Sequence, residues 1–146
     1  MRHHIQLDDT DMKILKLLQE NARMPVSRIS RQVAMSQPSV KERIIKLEES
    51  GVITGYYTSL DPARLDRGVS AFLLFKTEKC QAFLTYCETA PEVCELHRTS
   101  GDFNYMLKVQ TSSIEALTAF QESLLPFGSS KSLVSLKTPI AHRLLL

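Results

Sequence analysis

The chain has 146 residues, of which 43% are hydrophobic and 23% charged, as in ordinary folded globular proteins. Its 18 basic and 16 acidic residues give a net charge of +2, which is too small to identify a polyanion binder and too balanced for a histone-like protein. Apolar runs stay well short of the roughly 20 residues that a membrane span needs. The N-terminus lacks the apolar stretch of a secretory signal, so we expect a cytoplasmic protein with no membrane partner.

Three helical patterns occupy residues 1–60. Asp8 and Asp11 predict an acidic capping box at the start of the first helix. A short second helix follows, and Ser36 predicts the N-cap of a third helix over residues 37–50. The first and third helical patterns therefore each begin at a residue that caps a helix N-terminus.

A β-branched and aromatic segment, 52–60, follows the third helix and predicts a strand or a hairpin turned at Thr54-Gly55. Three helices, the last two joined by a tight turn, followed by a hairpin, are the layout of a winged helix-turn-helix, here with its helix-turn-helix at about 26–46. The turn carries Ala34 where glycine is usual. Three-helix clusters without DNA function are common, so the layout alone leaves that alternative open.

Positive charge is concentrated in this half of the chain. Residues 23–46 hold six basic residues and one acidic residue, whereas residues 61–146 hold nine of each. In the third helix Val40, Ile44 and Leu47 form one apolar stripe, which leaves a polar and largely basic face outward. Lys and Arg on such a face neutralise DNA phosphates, and Gln, Ser and Arg reach base edges in the major groove. We predict DNA contacts from Arg28, Arg31, Ser36, Gln37, Ser39, Lys41, Glu42, Arg43 and Lys46.

Two points about this face stay open at the level of sequence. A charged helix face is often simply solvated, although the preceding short helix and the following hairpin favour DNA binding here. Glu42 either accepts a hydrogen bond from a cytosine amino group or pairs with a basic residue one turn away, and the pairing is favoured.

The second half of the chain alternates strand-like and helix-like runs after a linker, 61–68, with one helical turn that Gly68 is expected to end. The order is βαββαβ, the ferredoxin-like split, so the chain as a whole is predicted to be α+β. Alternation places Val93 and Leu96 on opposite faces of their strand. The helices of such a fold cover one face of the sheet, and the other face commonly pairs with a second copy, which predicts a dimer. The predicted strands are 69–77, 93–99, 104–110 and 132–140, and the predicted helices are 81–89 and a second one capped by Ser113.

Three groups of residues follow one another along nearly the whole chain. They are Leu7-Asp8-x-x-Asp11-x-x-Ile14-Leu15 with Asn21-Ala22-Arg23, then Ser36-x-x-Ser39-Val40-x-x-Arg43-Ile44-x-x-Leu47-Glu48-x-x-Gly51-Val52-Ile53-x-Gly55-Tyr56, and finally Ser100-Gly101-Asp102-Phe103-Asn104-Tyr105-Met106-Leu107. With these motifs the sequence resembles the Lrp/AsnC family, the leucine- and asparagine-responsive transcription regulators.

The resemblance implies a sequence-specific, DNA-binding homodimer that assembles further into tetramers or octamers and is associated with the nucleoid. It implies that residues 69–146 form a RAM domain, for regulation of amino-acid metabolism, and that an effector amino acid binds between dimers near one loop. Asp102 suits the effector ammonium group. The family commonly has Asp where this chain has Asn104, which puts an unchanged effector preference in question. The candidate effector residues are Gly101, Asp102, Phe103 and Asn104, with Glu122 and Thr138 as weaker candidates.

Other functions were weighed against a ligand-modulated regulator. An architectural DNA-wrapping protein needs the same DNA face and no effector, and a stand-alone amino-acid sensor needs only the second half of the chain. The Gly101-Asp102 pair is also ordinary hairpin chemistry. An enzyme is disfavoured, because the four histidines have no metal-ligand spacing and the sequence has no catalytic triad order, phosphate loop or HExxH motif. We expect no cofactor.

Two residue types are predicted to be structural. The three cysteines, Cys80, Cys87 and Cys94, are an odd number without a CxxC pair, so we predict buried or half-buried thiols without special chemistry. His97 is predicted to be a packed or half-exposed strand residue.

Overall fold

A computed structural model describes residues 6–141 and 143–146, which fall into two compact units. The first unit contains the described residues up to Ser59 together with the C-terminal residues from Ile140, and the second spans Leu60–Pro139. The predicted domain of residues 69–146 thus covers most of the second unit, and its last residues, from Ile140, group with the helices of the first. Within the first unit the Leu146 N–H donates to Gln19 Oε1 at 3.0 Å.

The first unit is built from three helices: α1 over Asp9–Glu20, α2 over Val26–Val33 and α3 over Gln37–Glu49. The capping box predicted at the start of α1 is confirmed, because Asp8 and Asp11 each accept the other's backbone N–H. Four side chains with at most 3% exposure form the centre of this unit: Ile14, Ile29, Val40 and Leu47.

The turn between α2 and α3 is held by a left-handed residue. Ala34 has φ 54° and ψ 45°, a conformation that glycine adopts without steric cost and alanine does not. Gly51 has φ 74° just after α3, as expected for a residue that ends a helix.

The predicted hairpin at 52–60 is wrong, because residues 53–60 form no regular secondary structure. The N–H groups of Val52 and Ile53 instead turn back to the Leu47 carbonyl at 3.0 Å each, which closes the end of α3. A two-stranded hairpin without a third strand is at best marginally stable in water, so the β-branched composition does not decide the structure here. The Tyr56 hydroxyl donates to Glu48 Oε1 at 2.7 Å and so holds this segment to α3.

The second unit has the predicted order βαββαβ. The elements are β1 Val69–Thr77, α4 Cys80–Thr89, β2 Val93–Arg98, β3 Tyr105–Thr111, α5 Ile114–Ser123 and β4 Gly128–Val134. The strands form an antiparallel sheet ordered β2-β3-β1-β4. A single 3-10 turn, Pro62–Leu65, precedes β1, and the left-handed residue that ends this turn is Asp66 at φ 56°, not Gly68.

One face of the sheet packs against α4 and α5. At the centre of this core Phe75 of β1 stacks on Phe83 of α4, with ring centroids 4.3 Å apart. The alternate residues of β1 lie on the other face of the sheet, which neither α4 nor α5 covers. Phe72 lies between Leu133 and Lys108, and Leu74 lies between Met106 and Lys131, so four apolar side chains and two lysines form the centre of this face.

Two predictions for the strands are wrong: the faces of β2 and the residue range of the last strand. Val93 and Leu96 both pack on the core, because a bulge at Cys94 shifts the pairing of β2 with β3 by one residue. The last strand covers residues 128–134, not 132–140. Its first residue, Gly128, lies opposite Thr77, where an added Cβ would be 2.0 Å from the Lys76 carbonyl oxygen.

Candidate nucleic-acid interface

The start of α3 is fixed by its own residues. Ser36 Oγ accepts the backbone N–H of Ser39 at 3.3 Å, and the two hydroxyl groups lie 2.7 Å apart. Pro38 in the first turn needs no hydrogen-bond acceptor. Ser36 and Ser39 are therefore engaged in capping, and Gln37 lies exposed between them.

The two sides of α3 differ sharply in burial. Val40 and Leu47 are buried against the other helices, whereas Lys41 and Lys46 are exposed. Ile45, one turn after Lys41, is a large apolar side chain with 41% exposure. Ile45 is not among the predicted DNA contacts, although its i+4 spacing from Lys41 places it beside that residue on the exposed part of the helix.

The predicted basic residues of α2 are also exposed. Arg28 lies at the surface, and Arg31 Nε donates to the Ser27 carbonyl at 3.2 Å. Together with Lys41 and Lys46 they give the helix-turn-helix four exposed basic residues. Such residues attract a polyanion regardless of its base sequence.

Glu42 pairs with Lys46 at 2.8 Å, one helical turn apart. The hydrogen bond from Lys46 lowers the pKa of the Glu42 carboxyl. Both side chains are more than two-thirds exposed, and such surface pairs contribute little to stability. Lys46 is therefore free to exchange Glu42 for a phosphate.

Arg43 occupies a different position from the other predicted DNA contacts. Its Nη1 donates to Asp8 Oδ2 and to Asp11 Oδ1, both at 2.7 Å. The Asp11 backbone N–H, and then the Arg43 guanidinium, hold the pKa of Asp8 below its usual value. The two carboxylates in turn raise the pKa of Arg43. The geometry joins Arg43 to the start of α1.

The candidate effector loop is a closed hairpin turn in the second unit. Thr99 Oγ1 donates to the Phe103 carbonyl at 2.7 Å, and the Thr99 N–H donates to the Asn104 carbonyl at 3.0 Å. Gly101 has φ 98°, and both Gly101 and Asp102 are exposed. The loop thus presents backbone groups and one carboxylate to solvent.

The Asn104 side chain is fully used inside the protein. Its Nδ2 donates to the Thr77 carbonyl at 2.8 Å, and its Oδ1 accepts the Thr77 N–H at 3.0 Å. Thr77 Oγ1 donates to the Phe127 carbonyl at 2.6 Å. These bonds join the loop to the end of β1 and to the turn after α5.

The two weaker effector candidates lie apart from each other. Glu122 is exposed in the last turn of α5, near the turn that Thr77 contacts. Thr138 follows β4 instead of lying within it, and its Oγ1 is 3.3 Å from Ser135 Oγ. Because Ser135 pairs with Ser70 at the start of β1, Thr138 is separated from Asn104 by most of a nine-residue strand, roughly 25 Å.

The remaining titratable residues form no further site among the described residues, which contain no group of three or more His, Cys, Asp or Glu able to hold a metal. His97 is exposed and lies 3.3 Å from Glu95 Oε2, while His3, His4 and His142 fall outside the described residues. Cys94 is exposed, contrary to prediction, whereas burial raises the pKa of Cys87 to about 11. Within 6–141 and 143–146 no helix is long and apolar enough to span a membrane.

Comparison with known proteins covers both units. A family model for the AsnC-type helix-turn-helix domain matches residues 7–48, and one for the Lrp/AsnC ligand binding domain matches residues 70–145. The uncharacterized HTH-type transcriptional regulator YezC of Bacillus subtilis is 36% identical over 136 residues, which are 93% of this chain and 98% of that protein.

Solved structures agree over the full fold. LrpC of B. subtilis has a TM-score of 0.89 at 27% identity, covering 94% of this chain and 100% of that one. The regulator NMB0573 of Neisseria meningitidis, solved as a complex with L-Met, has a TM-score of 0.90 at 28% identity and covers 97% of each chain. The chain therefore belongs to the Lrp/AsnC family and is a transcription regulator with a DNA-binding helix-turn-helix, not an enzyme.

Proposed function

We propose that the protein is a homodimer that reads its operator with α3 and whose DNA occupancy responds to a free amino acid. The observation that carries the proposal is the asymmetry of α3. One side buries Val40 and Leu47, and the other exposes Gln37, Lys41 and Lys46. A helix with this division presents a polar and basic surface to the major groove while its apolar side holds it to the domain.

The exposed residues divide by chemistry into two roles. Lys41, Lys46, Arg28 and Arg31 contact phosphates and supply affinity for any sequence. Gln37, at the N-terminal end of α3, reads a base edge, and Ile45 meets a thymine methyl group. Ser36 and Ser39 cap the helix and contribute through its orientation.

The uncovered sheet face supports pairing with a second copy. Its centre holds the apolar residues Phe72, Leu74, Met106 and Leu133 together with Lys108 and Lys131, and Lys108 pairs with Glu95 at 3.0 Å. A two-fold axis through such a face places the same apolar residues opposite each other. Tetramers or octamers would follow from further contacts between dimers, and chromosomal DNA as the partner would place the protein at the nucleoid in the cytoplasm.

An amino-acid effector is supported by a relative and by the loop 100–104. The neighbouring regulator from N. meningitidis was solved with L-Met. In this chain Gly101 and Asp102 are exposed at the turn, so backbone groups and a carboxylate are available to an amino acid's charged groups. Asn104 is engaged with Thr77 and shapes the loop instead of contacting the effector.

The reading helix is tested by salt-dependent DNA binding. Duplexes are first selected in vitro with the full chain, and binding is then measured across a range of salt concentrations. We expect Lys41→Ala and Lys46→Ala each to weaken binding to all sequences and to reduce the salt slope by about 1, because each removes one phosphate contact. Lys13→Ala, on the exposed surface of α1, is the matched control and should change neither quantity.

Unchanged affinity and salt slope in both α3 variants would show that another surface binds DNA.

The effector is tested separately by calorimetric titration of the full chain with each of the twenty amino acids. Heat and altered DNA occupancy with one of them support regulation. Sequence-indifferent protection that no amino acid changes supports the architectural alternative.

A further inference from the structure

We propose that Arg43 does not contact DNA and is instead a positioning residue, which fixes the orientation of α3 on α1 and thereby the register in which α3 reads bases. The proposal rests on α3 being the reading helix, as inferred above. It assigns a role to the acidic pair Asp8 and Asp11 that goes beyond helix capping.

The carboxylates that hold Arg43 are themselves locked in place. Asp8 Oδ1 accepts the Asp11 N–H at 2.8 Å, and Asp11 Oδ2 accepts the Asp8 N–H at 3.1 Å. The two remaining oxygens, Asp8 Oδ2 and Asp11 Oδ1, each accept from Arg43 Nη1 at 2.7 Å. All four carboxylate oxygens are therefore used, and the pair forms a rigid acceptor whose position is set by the first turn of α1.

This contact adds a constraint that apolar packing does not provide. Val40 and Leu47 hold α3 to the core, but apolar contacts are not directional and tolerate small sliding or rotation. Charge-assisted hydrogen bonds are directional and short. Among the ion pairs of the described helical unit, those of Arg43 join different parts of the chain, whereas Glu42–Lys46 lies within α3.

The same geometry argues against a phosphate contact. The Arg43 side chain is 29% exposed, compared with 69% for Lys46. A phosphate that approached Arg43 would also approach Asp8 and Asp11, whose two negative charges exceed the single positive charge of Arg43. Approach of DNA to this point is therefore unfavourable, unlike approach to Lys41.

The test compares a duplex selected by the wild-type chain with a shuffled duplex of the same length and composition. The variants are Arg43→Gln, the double variant Asp8→Asn/Asp11→Asn, and the triple combination. Asparagine still caps helices, so the double variant keeps the start of α1. Lys41→Ala is the control for a phosphate contact.

We expect Arg43→Gln and the double variant each to weaken binding to the selected duplex by about tenfold, the order of one lost base contact. Binding of Arg43→Gln to the shuffled duplex should change less than about twofold. Binding of the double variant to that duplex should either change as little or tighten, because two negative charges are removed. The salt slope of binding should stay unchanged in both. The triple variant should be no worse than either parent, because all remove one shared interaction.

The direction of the change in DNA affinity distinguishes a positioning role of Arg43 from a phosphate contact. If Arg43 contacts phosphate, Arg43→Gln weakens both duplexes and lowers the salt slope, while removal of Asp8 and Asp11 tightens the selected duplex; this result overturns the proposal. A second control tests whether Arg43 only stabilises the fold. The assay is repeated at a temperature at which circular dichroism shows every variant folded. If the variants regain wild-type selectivity there, Arg43 acts through stability alone and the proposal is overturned. If Lys41→Ala is without effect as well, α3 is not the reading helix and both proposals fail.

Discussion

At the scale of single residues, Asn104 shows how one side chain shapes the candidate effector loop. Its amide both donates to and accepts from the backbone of Thr77, which continues the pairing of β1 beyond the ladder. An aspartate at the same position would accept the Thr77 N–H but, when ionised, would leave the Thr77 carbonyl facing a negative charge. Asparagine, in place of the family's usual aspartate, therefore makes a second hydrogen bond, to the Thr77 carbonyl, that an ionised aspartate could not make.

We expect Asn104→Asp to lower the free energy of unfolding at neutral pH by about 1–3 kcal/mol, the cost of a buried polar group left without its partner. The Thr77 carbonyl and partial burial raise the pKa of the new carboxyl in the folded state. The variant is therefore most stable below the carboxyl's unfolded pKa and loses stability as pH rises through its folded pKa. Denaturant unfolding at several pH values measures this.

The wild-type chain and Asp102→Asn, a change at an exposed position, are the comparison proteins for that series. Equal loss of stability at every pH in Asn104→Asp would contradict the account, since it would show that protonation does not restore the bond to Thr77.

Local residue chemistry was predictable from sequence where both partners are close in the chain. Asp8, Ser36 and Ser113 were each predicted as N-caps, and each accepts a hydrogen bond from an N–H three residues ahead. Arg43 was predicted as a DNA contact, and its ion pairs with Asp8 and Asp11 were not foreseen, because these partners lie 35 and 32 residues away. Long-range pairing of this kind follows from the fold and has no local signal.

At the scale of elements, the helix-turn-helix contains one strained position. Ala34 carries the left-handed conformation of the turn between α2 and α3. The buried side chains Ile29 and Val40 and the Ser36 cap at the start of α3 hold the turn in spite of this residue. This explains why a motif without its usual glycine still has the expected geometry.

We expect Ala34→Gly to raise the free energy of unfolding by about 0.5–1 kcal/mol, because relief of the left-handed strain exceeds the added entropy of the unfolded chain. Gln32→Gly, on the exposed side of α2, is the control and should lower it by about 0.7 kcal/mol, the ordinary cost of glycine in a helix. Chemical denaturation followed by helical circular dichroism distinguishes the two, and a loss of stability in Ala34→Gly would refute the assignment of strain.

The order of the helices and of the sheet strands was predictable, but the absence of a strand at 53–60 and the faces of β2 were not. Hydrophobic periodicity identified every helix and the βαββαβ order. The segment 53–60 is rich in β-formers yet has no strand, because its neighbour along the chain offers no edge to pair with. The bulge at Cys94 reverses the faces of β2, and its position depends on pairing with β3, which alternation in one strand does not reveal.

At the scale of the whole molecule, charge and apolar surface are divided between the two units. The net charge of +2 combines a basic segment at 23–46, a second half with equal numbers of acidic and basic residues, and an excess of acidic residues in 1–22 and 47–60. The neutral half carries the uncovered sheet face. The division suits a protein that binds DNA with one unit and a second copy of itself with the other.

If two copies associate through the uncovered sheet face, a negative charge introduced on that face should weaken the dimer. We expect Leu133→Asp, on the uncovered face with 48% exposure, to raise the dimer dissociation constant at least tenfold, because a carboxylate would be buried against apolar residues of the partner. Leu136→Asp, at 95% exposure beyond β4, is the control. Sedimentation velocity measures both, and an equal effect of the two changes would exclude this face as the interface.

The central claim, a dimer that reads DNA with two copies of α3, is tested most directly by footprinting the full chain on duplexes selected in vitro. We expect two protected major-groove segments on one side of the duplex, about 34 Å or one helical turn apart, at the same sequence on every fragment. Continuous protection that lengthens with the DNA and ignores its sequence would contradict it.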